Sequence, residues 1–161
     1  MCIRDRLYRW LNVDGQFFFG DAVYYDPVDP YQGVSRDGGF GLTLQPSGRL
    51  SQGFNYHRVS FDRASTGEHV YDLDLIYSRT TYQFSRQFFI RGIVQYDSSR
   101  SRVLTDFLSS YELRPGTVVY AGYGSLIERR DFIDGQWVPN QGDYATSQRG
   151  LFFKASYLYR F

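Results

Sequence analysis

Two carboxylates two residues apart, Asp72 and Asp74, would stand on one face of an extended strand, the arrangement on which paired acid/base work is built. No partner base or pocket pattern accompanies them, so they read as solvated charges facing the lumen of a sheet. His57 and His69, the 2 histidines, match no zinc-ligand spacing, and the lone Cys2 can form neither an internal disulfide nor a multi-thiolate metal site. The serines of "SSRSR" lack the G-x-S-x-G elbow and an adjoining histidine, while "GFG" and "AGYG" lack the helix that a phosphate-cradling loop opens. No catalytic, metal or cofactor-binding residue is assigned on these patterns, and no cofactor is expected. Chemistry of another kind is visible at the end of the chain. In "LFFKASYLYRF" every second residue is bulky and apolar, so Leu151, Phe153, Ala155, Tyr157, Tyr159 and Phe161 share one face and Lys154, Ser156 and Arg160 the other.

Composition narrows what such a strand could serve. Aromatics make up 19% of the 161 residues, with 15 Tyr and 14 Phe, yet the hydrophobic fraction is 42% and the mean hydropathy −0.43. No run approaches the roughly 20 apolar residues of a membrane-spanning helix. Lys plus Arg number 18 against 17 Asp plus Glu, a balance without the basic footprint of a nucleic-acid binder.

Period-two alternation dominates, and helical periodicity is absent. The pattern predicts an all-β chain, an antiparallel up-and-down meander of about eight strands near 8–25, 38–46, 49–61, 70–84, 87–97, 103–113, 117–130 and 148–161. Short turns at Pro46–Gly48, Ser85–Arg86 and Pro115–Gly116 should lie at one end, and longer polar links at Asp26–Asp37, Asp62–His69, Ser98–Arg102 and Asp131–Ser147 at the other. A left-handed Gly48 is expected to set Gln45 opposite Arg49, and a two-residue turn to pair Arg114 with Thr117. Turns short on one side and long on the other are the signature of a transmembrane β-barrel, either closed and small or an open curved sheet when only part of a barrel is present.

Face assignment follows from this expectation. Phe40, Leu42, Leu44, Phe54, Tyr56, Phe88, Ile90, Val94, Tyr96, Phe107, Tyr111, Tyr120, Leu151 and Phe153 should meet lipid. His57, Arg91, Gln95, Asp106, Glu112 and Lys154 should be polar groups of the lumen, with Arg91 and Glu112 diagonal neighbours. Two segments leave the parity open: Tyr82 and Phe84 oppose the set Tyr71, Leu73, Leu75 and Tyr77, and Phe17, Phe18 and Phe19 are consecutive.

The closing "KASYLYRF" resembles the C-terminal insertion signal of bacterial outer-membrane proteins, which implies roles for Lys154, Ser156, Tyr157, Tyr159 and Phe161 in engaging the barrel-assembly machinery; Ser156 stands where glycine is usual. From about Leu7 to Phe161, most specifically in "TTYQFSRQ", "IVQYD" and "SYELRPGT", the chain resembles the end of a bacterial family. Those proteins join an N-terminal module similar to family-nine carbohydrate-binding domains to a large outer-membrane barrel region of unknown function. The resemblance implies the bacterial outer membrane as location, its lipid and lipopolysaccharide as surroundings, a barrel larger than this chain and involvement of the parent with polysaccharide. The opening "MCIRDR" resembles a translated sequencing adaptor of the kind that begins open reading frames in metagenomic assemblies, so residues 1–6 are expected to be non-native and 7–161 to be the C-terminal part of the barrel. Two other readings stay open on the residues alone: a complete small outer-membrane barrel enzyme acting on lipid or peptide, and a soluble aromatic-rich carbohydrate-binding β-sandwich with Greek-key pairing.

Overall fold

Alternating side chains punctuated by turn residues leave the backbone one way to satisfy its hydrogen bonds, a ladder of hairpins. The computed structural model describes the backbone except at residues 1, 26, 28, 134, 135 and 159–161, and the side chains except at 1–7, 26, 28, 132–141 and 159–161. It contains β1 (Cys2–Tyr8), β2 (Leu11–Tyr24), β3 (Tyr31–Ser47), β4 (Leu50–Arg63), β5 (His69–Gln83), β6 (Phe88–Asp97), β7 (Arg102–Arg114), β8 (Thr117–Ile133) and β9 (Gln136–Tyr157). All nine lie in one antiparallel sheet in the order β1 to β9. Only strands adjacent in sequence touch, so among the described residues nothing packs on either face and β1 and β9 each have a single neighbour.

The all-β meander is therefore as the alternation predicts, with three differences of detail. The ninth strand is β1, where Cys2–Asp5 pair with Val13–Gln16; backbone pairing needs no particular side chains, so it is silent on the origin of residues 1–6. Most of the expected links Asp26–Asp37 and Asp131–Ser147 are strand. Tyr31 to Gly38 run opposite Tyr24 to Phe17, because rings zip together a segment whose glycines and charges read as turn. Gly48 is not left-handed; it forms a two-residue turn with Arg49, and a bulge at Gln45–Pro46 moves the pairing to Leu44 opposite Gln52. The Ser47 hydroxyl accepts the Arg49 and Leu50 amides, each at 3.3 Å. That displacement is an even number of residues, so the faces are unchanged.

A bulge in β7 does change a face. Arg114 pairs with Thr117 as expected, with Gly116 at φ +89°, but Glu112 pairs with Val118, leaving Leu113 unpaired. The odd residues of β7 consequently share a face with Val119, Ala121 and Tyr123. Tyr120, expected beside Tyr111, points to the opposite face, together with Val118 and Leu126.

Call face A the side bearing Phe40, Phe54 and Phe107, and face B the other. Every described residue in the lowest exposure class points to face B: Gly33, Gly41, Phe61, Asp97, Ser110 and Gly122. Face B is thus the more crowded of the two. Phe61, 2% exposed, is the one buried hydrophobic residue among those described. Two glycines make room for rings there. A Cβ on Gly33 would collide with Phe61, and one on Gly122 would collide with Phe152 and stand 2.8 Å from the Phe107 carbonyl oxygen.

Candidate functional site

Face A carries an apolar stripe that the register assembles from every strand of the β2–β9 ladder. Leu11 and Val13 of β2 stand opposite Leu44 and Leu42 of β3, with Phe17, Phe19 and Phe40 on the same face; Phe54 and Tyr56 follow on β4 and Ile76 on β5. Ile90, Val94 and Tyr96 continue on β6, then Val103, Phe107 and Tyr111 on β7, Val119 and Tyr123 on β8, and Leu151, Phe153 and Ala155 on β9. These side chains are open to their surroundings: Phe107 is 57% exposed, Phe153 73% and Leu151 84%. Hydroxyls within the stripe are turned back on the protein. Ser109 donates to the Ala121 carbonyl at 3.3 Å, and Gln52 bonds both Ser78, at 2.9 Å, and Thr80.

The stripe runs diagonally across the hydrogen-bonded rows. Its upper edge, toward the β2–β3 and β4–β5 links, lies at Phe19 on β2, in the row of Ser60, and at Leu151 on β9, in the row of Gln52. Between those rows β4 advances eight residues, about 27 Å at about 3.4 Å each, across seven strand spacings of about 4.8 Å, or about 34 Å. Rows are perpendicular to antiparallel strands, so the edge is inclined by about 40°. The lower edge descends likewise, from Leu11 to Tyr157, by six residues or about 20 Å, an inclination of about 30°. Aromatic rings mark that lower edge: Tyr82, Phe84, Phe88 and Tyr111 form a chain of contacts with centroids 4.7, 5.1 and 6.2 Å apart.

Above the stripe the two faces exchange character. Face A turns ionic beyond Tyr56, whose hydroxyl donates to Asp74 at 2.6 Å. Arg58 pairs with Asp72 at 3.0 Å, Arg36 with Asp62 at 2.9 Å, and His69 Nδ1 lies 3.0 Å from Asp62. The His69 ring beside Asp62, with Arg36 adding to it, holds that carboxyl below the usual carboxylate range. Face B at this level is aromatic: Tyr24, Tyr31, Phe61 and Tyr71 contact one another, Phe61 and Tyr71 with planes 2° apart, and the Arg63 guanidinium lies 3.9 Å from the centre of the Tyr31 ring.

Within the stripe's height face B is mixed: Asn12, Asp14, Gln16, Asn55, His57, Arg79, Arg91, Gln95, Asp106 and several glycines share it with Phe18, Tyr77, Phe89, Ile93, Leu108, Tyr120 and Phe152. The register thus puts all of the residues expected to meet lipid on face A except Tyr120, and His57, Arg91, Gln95, Asp106, Glu112 and Lys154 together on face B. His57 lies 3.5 Å from Asp37. Arg91 is opposite Leu108, four residues from Glu112, so these two do not meet as diagonal neighbours. Asp72 and Asp74 are not lumen-side charges: pairing of Tyr56 with Ile76 and Arg58 with Asp74 fixes them on face A, above the stripe. β5 is straight from Tyr71 to Gln83, so Tyr82 joins face A while Leu73, Leu75 and Tyr77 lie on face B; Phe17 and Phe19 take face A and Phe18 face B. Of the expected insertion-signal residues, Lys154, Ser156 and Tyr157 continue the alternation of β9, whereas Tyr159 and Phe161 lie outside the described residues. Of the groups above the stripe, Tyr31, Arg36, Asp62, Arg63 and His69 fell in segments read as links, whereas Tyr24, Arg58, Phe61, Tyr71, Asp72 and Asp74 fell in expected strands whose mutual register the alternation does not give. The chain matches no protein-family model, and no curated protein or solved structure is significantly similar to it.

Proposed function

We propose that this chain is the C-terminal segment of a bacterial outer-membrane β-barrel, with face A in contact with hydrocarbon, face B lining the lumen, and membrane anchoring as its role. The observation that carries the reading is the inclined apolar stripe. Strands of membrane barrels tilt by about 35–45°, so a flat hydrocarbon layer cuts them along a line oblique to the hydrogen-bonded rows, as both edges of the stripe run. On β6 the stripe spans Phe88 to Tyr96, nine residues, matching the 9–11 of a tilted transmembrane strand. The ring chain at the lower edge and the Tyr56 hydroxyl at the upper edge fit interfacial girdles, with amphipathic rings at the boundary between water and acyl chains. The ionic groups on face A above that edge would then stand in water or among headgroups. Consecutive hairpins in one layer also speak against a Greek-key sandwich, whose apolar face would be covered by a second sheet. Capture or passage of carbohydrate at the cell surface would be a contribution of the parent protein.

The test is positional. Single cysteines introduced into a Cys2→Ser background at Val94, Phe107 and Phe153, at Gln95 and Asp106, and at Ser60, each carrying a fluorophore, are read in proteoliposomes. Brominated acyl chains should quench the first group, whereas aqueous iodide should quench the other two. Lipid quenching that ignores parity, or that reaches Ser60 as strongly as Phe107, would sink the reading.

A further inference from the structure

We propose that Arg79 and Arg91 form an oxyanion site on face B, near the short-turn end of the sheet, that takes the phosphate group of a solute. The register places Ser51, Thr81 and Arg91 in one row, and Gly53, Arg79 and Ile93 in the next. The two arginines are therefore diagonal neighbours on adjacent strands, about 7–8 Å apart at the backbone, close enough for both guanidinium groups to reach one tetrahedral anion. Like charges so placed repel, and the sheet does nothing to compensate. Neither arginine takes part in any ion pair among the described residues. The carboxylate that could have neutralised Arg91 is Asp106, its diagonal neighbour on β7, but Asp106 is turned away over Gly124, where its oxygen lies 2.8 Å from the position a Cβ would take. Arg91 Nε is shielded from solvent and has no hydrogen-bond partner, a donor left unmet at a place where an unmet donor is costly.

The surroundings offer more donors and room. Gly53 leaves the space beside Arg79 open, its nearest neighbour there being the Arg79 carbonyl at 3.9 Å. Thr81 and Ser51 present hydroxyls, and a cavity of about 170 Å³ adjoins them, lined also by Ser47, Arg49 and Gln83. Guanidinium forks with hydroxyls and no carboxylate suit a dianionic tetrahedral group, whose oxygens can accept paired N–H bonds from each arginine. The site lies on face B and does not depend on what covers face A.

Isothermal titration of the full chain in detergent micelles with inorganic phosphate, at ionic strength held constant with chloride, tests this. R79Q and R91Q should each weaken phosphate binding at least tenfold and the double variant should abolish it, while R86Q, in the β5–β6 turn, should bind as the unmodified chain does. Circular dichroism confirms that each variant keeps its sheet, and R79Q, altering an exposed side chain, remains informative if R91Q misfolds. Equal phosphate affinity in folded R79Q, or equal weakening by R86Q, overturns the proposal. The readout is taken in micelles, so failure of the chain to enter vesicles would count against the barrel reading and leave this result standing.

Discussion

A charge at the centre of the stripe should be costly on face A and nowhere else. Phe107 lies four residues from Val103 and four from Tyr111 on β7, so about 13 Å of strand separates it from either edge, or about 10 Å of depth at a 40° tilt. Arginine at that depth of a bilayer destabilises a barrel by about 2–4 kcal/mol, about 30- to 900-fold in the folding equilibrium. Phe107 also covers Gly92, its ring 3.6 Å from where a Cβ would stand, so simple removal of the ring has a cost of its own. Phe107→Leu isolates that part, and the quantity of interest is the difference between Phe107→Arg and Phe107→Leu. Urea-dependent folding into phospholipid vesicles, followed by the mobility shift of unheated barrel, measures both. Ser60→Arg, on the same face but above the stripe, and Gln95→Arg, on face B, should each cost under about 1 kcal/mol. If Phe107→Arg and Phe107→Leu agree within about 0.5 kcal/mol, face A does not meet hydrocarbon and the interpretation of the stripe fails.

Glycine placement gives a second expectation: Gly122→Ala should destabilise by about 1–3 kcal/mol, since a Cβ meets the Phe152 ring and the Phe107 carbonyl, while Gly150→Ala, with open space around it, should be neutral in the same urea titration. Phe61→Ala should cost about 3 kcal/mol and act locally, raising hydrogen-exchange rates of the β2–β5 segments above the stripe and leaving Phe88–Tyr96 protected. The depressed acidity of Asp62 means that its contacts with His69 and Arg36 stabilise fully above the ordinary carboxylate range, about pH 4, and are lost as pH falls through the lower folded value. Amides near Asp62 should therefore loosen in acid, and Asp62→Asn should remove that acid-dependent step. If the proposed membrane role holds, deleting Phe161 should lower the yield of heat-modifiable barrel in membranes; normal assembly would exclude an insertion role for that residue.

Alternation made the strands and most face assignments legible, because a one-residue error anywhere would have thrown an entire strand to the wrong side. Tyr120 shows where that legibility ends. Its face is decided by the bulge at Leu113, and nothing in "SYELRPGTVVY" distinguishes a continuous strand from one with an extra residue beside the turn. The link readings failed for a related reason. "YQGVSRDGG" has the glycines and charges of a loop, but Tyr31 stacks on Tyr24 and Phe61 fills the space over Gly33, so tertiary contacts across three strands outweigh local turn preference. The inclination of the stripe could not be read at all, since it depends on the register of every pair at once, which the bulges and all seven connections from β2 to β9 jointly set.

If face A meets hydrocarbon as proposed, the margins of the sheet are constrained. β1 and β9 each have one neighbour, so each presents a row of backbone N–H and C=O groups with no strand beyond it. In water such an edge is tolerated, but in hydrocarbon each unmet group costs several kcal/mol, and β9 crosses the full height of the stripe from Leu151 to Tyr157. Lipid contact on face A and bare edges are therefore incompatible. Under that reading, either the two edges would join each other in the bilayer, or further strands would stand between them. Diameter decides between these, because nine strands enclose an interior scarcely wider than its own side chains, and face B already fills part of that space with Phe18, Phe61, Tyr71 and Phe152. The aromatic cluster at the top of face B would have to be accommodated within so narrow a ring, whereas a wider barrel leaves it on an open wall. Under the proposed membrane reading, additional strands are the arrangement that would satisfy both the edges and the rings.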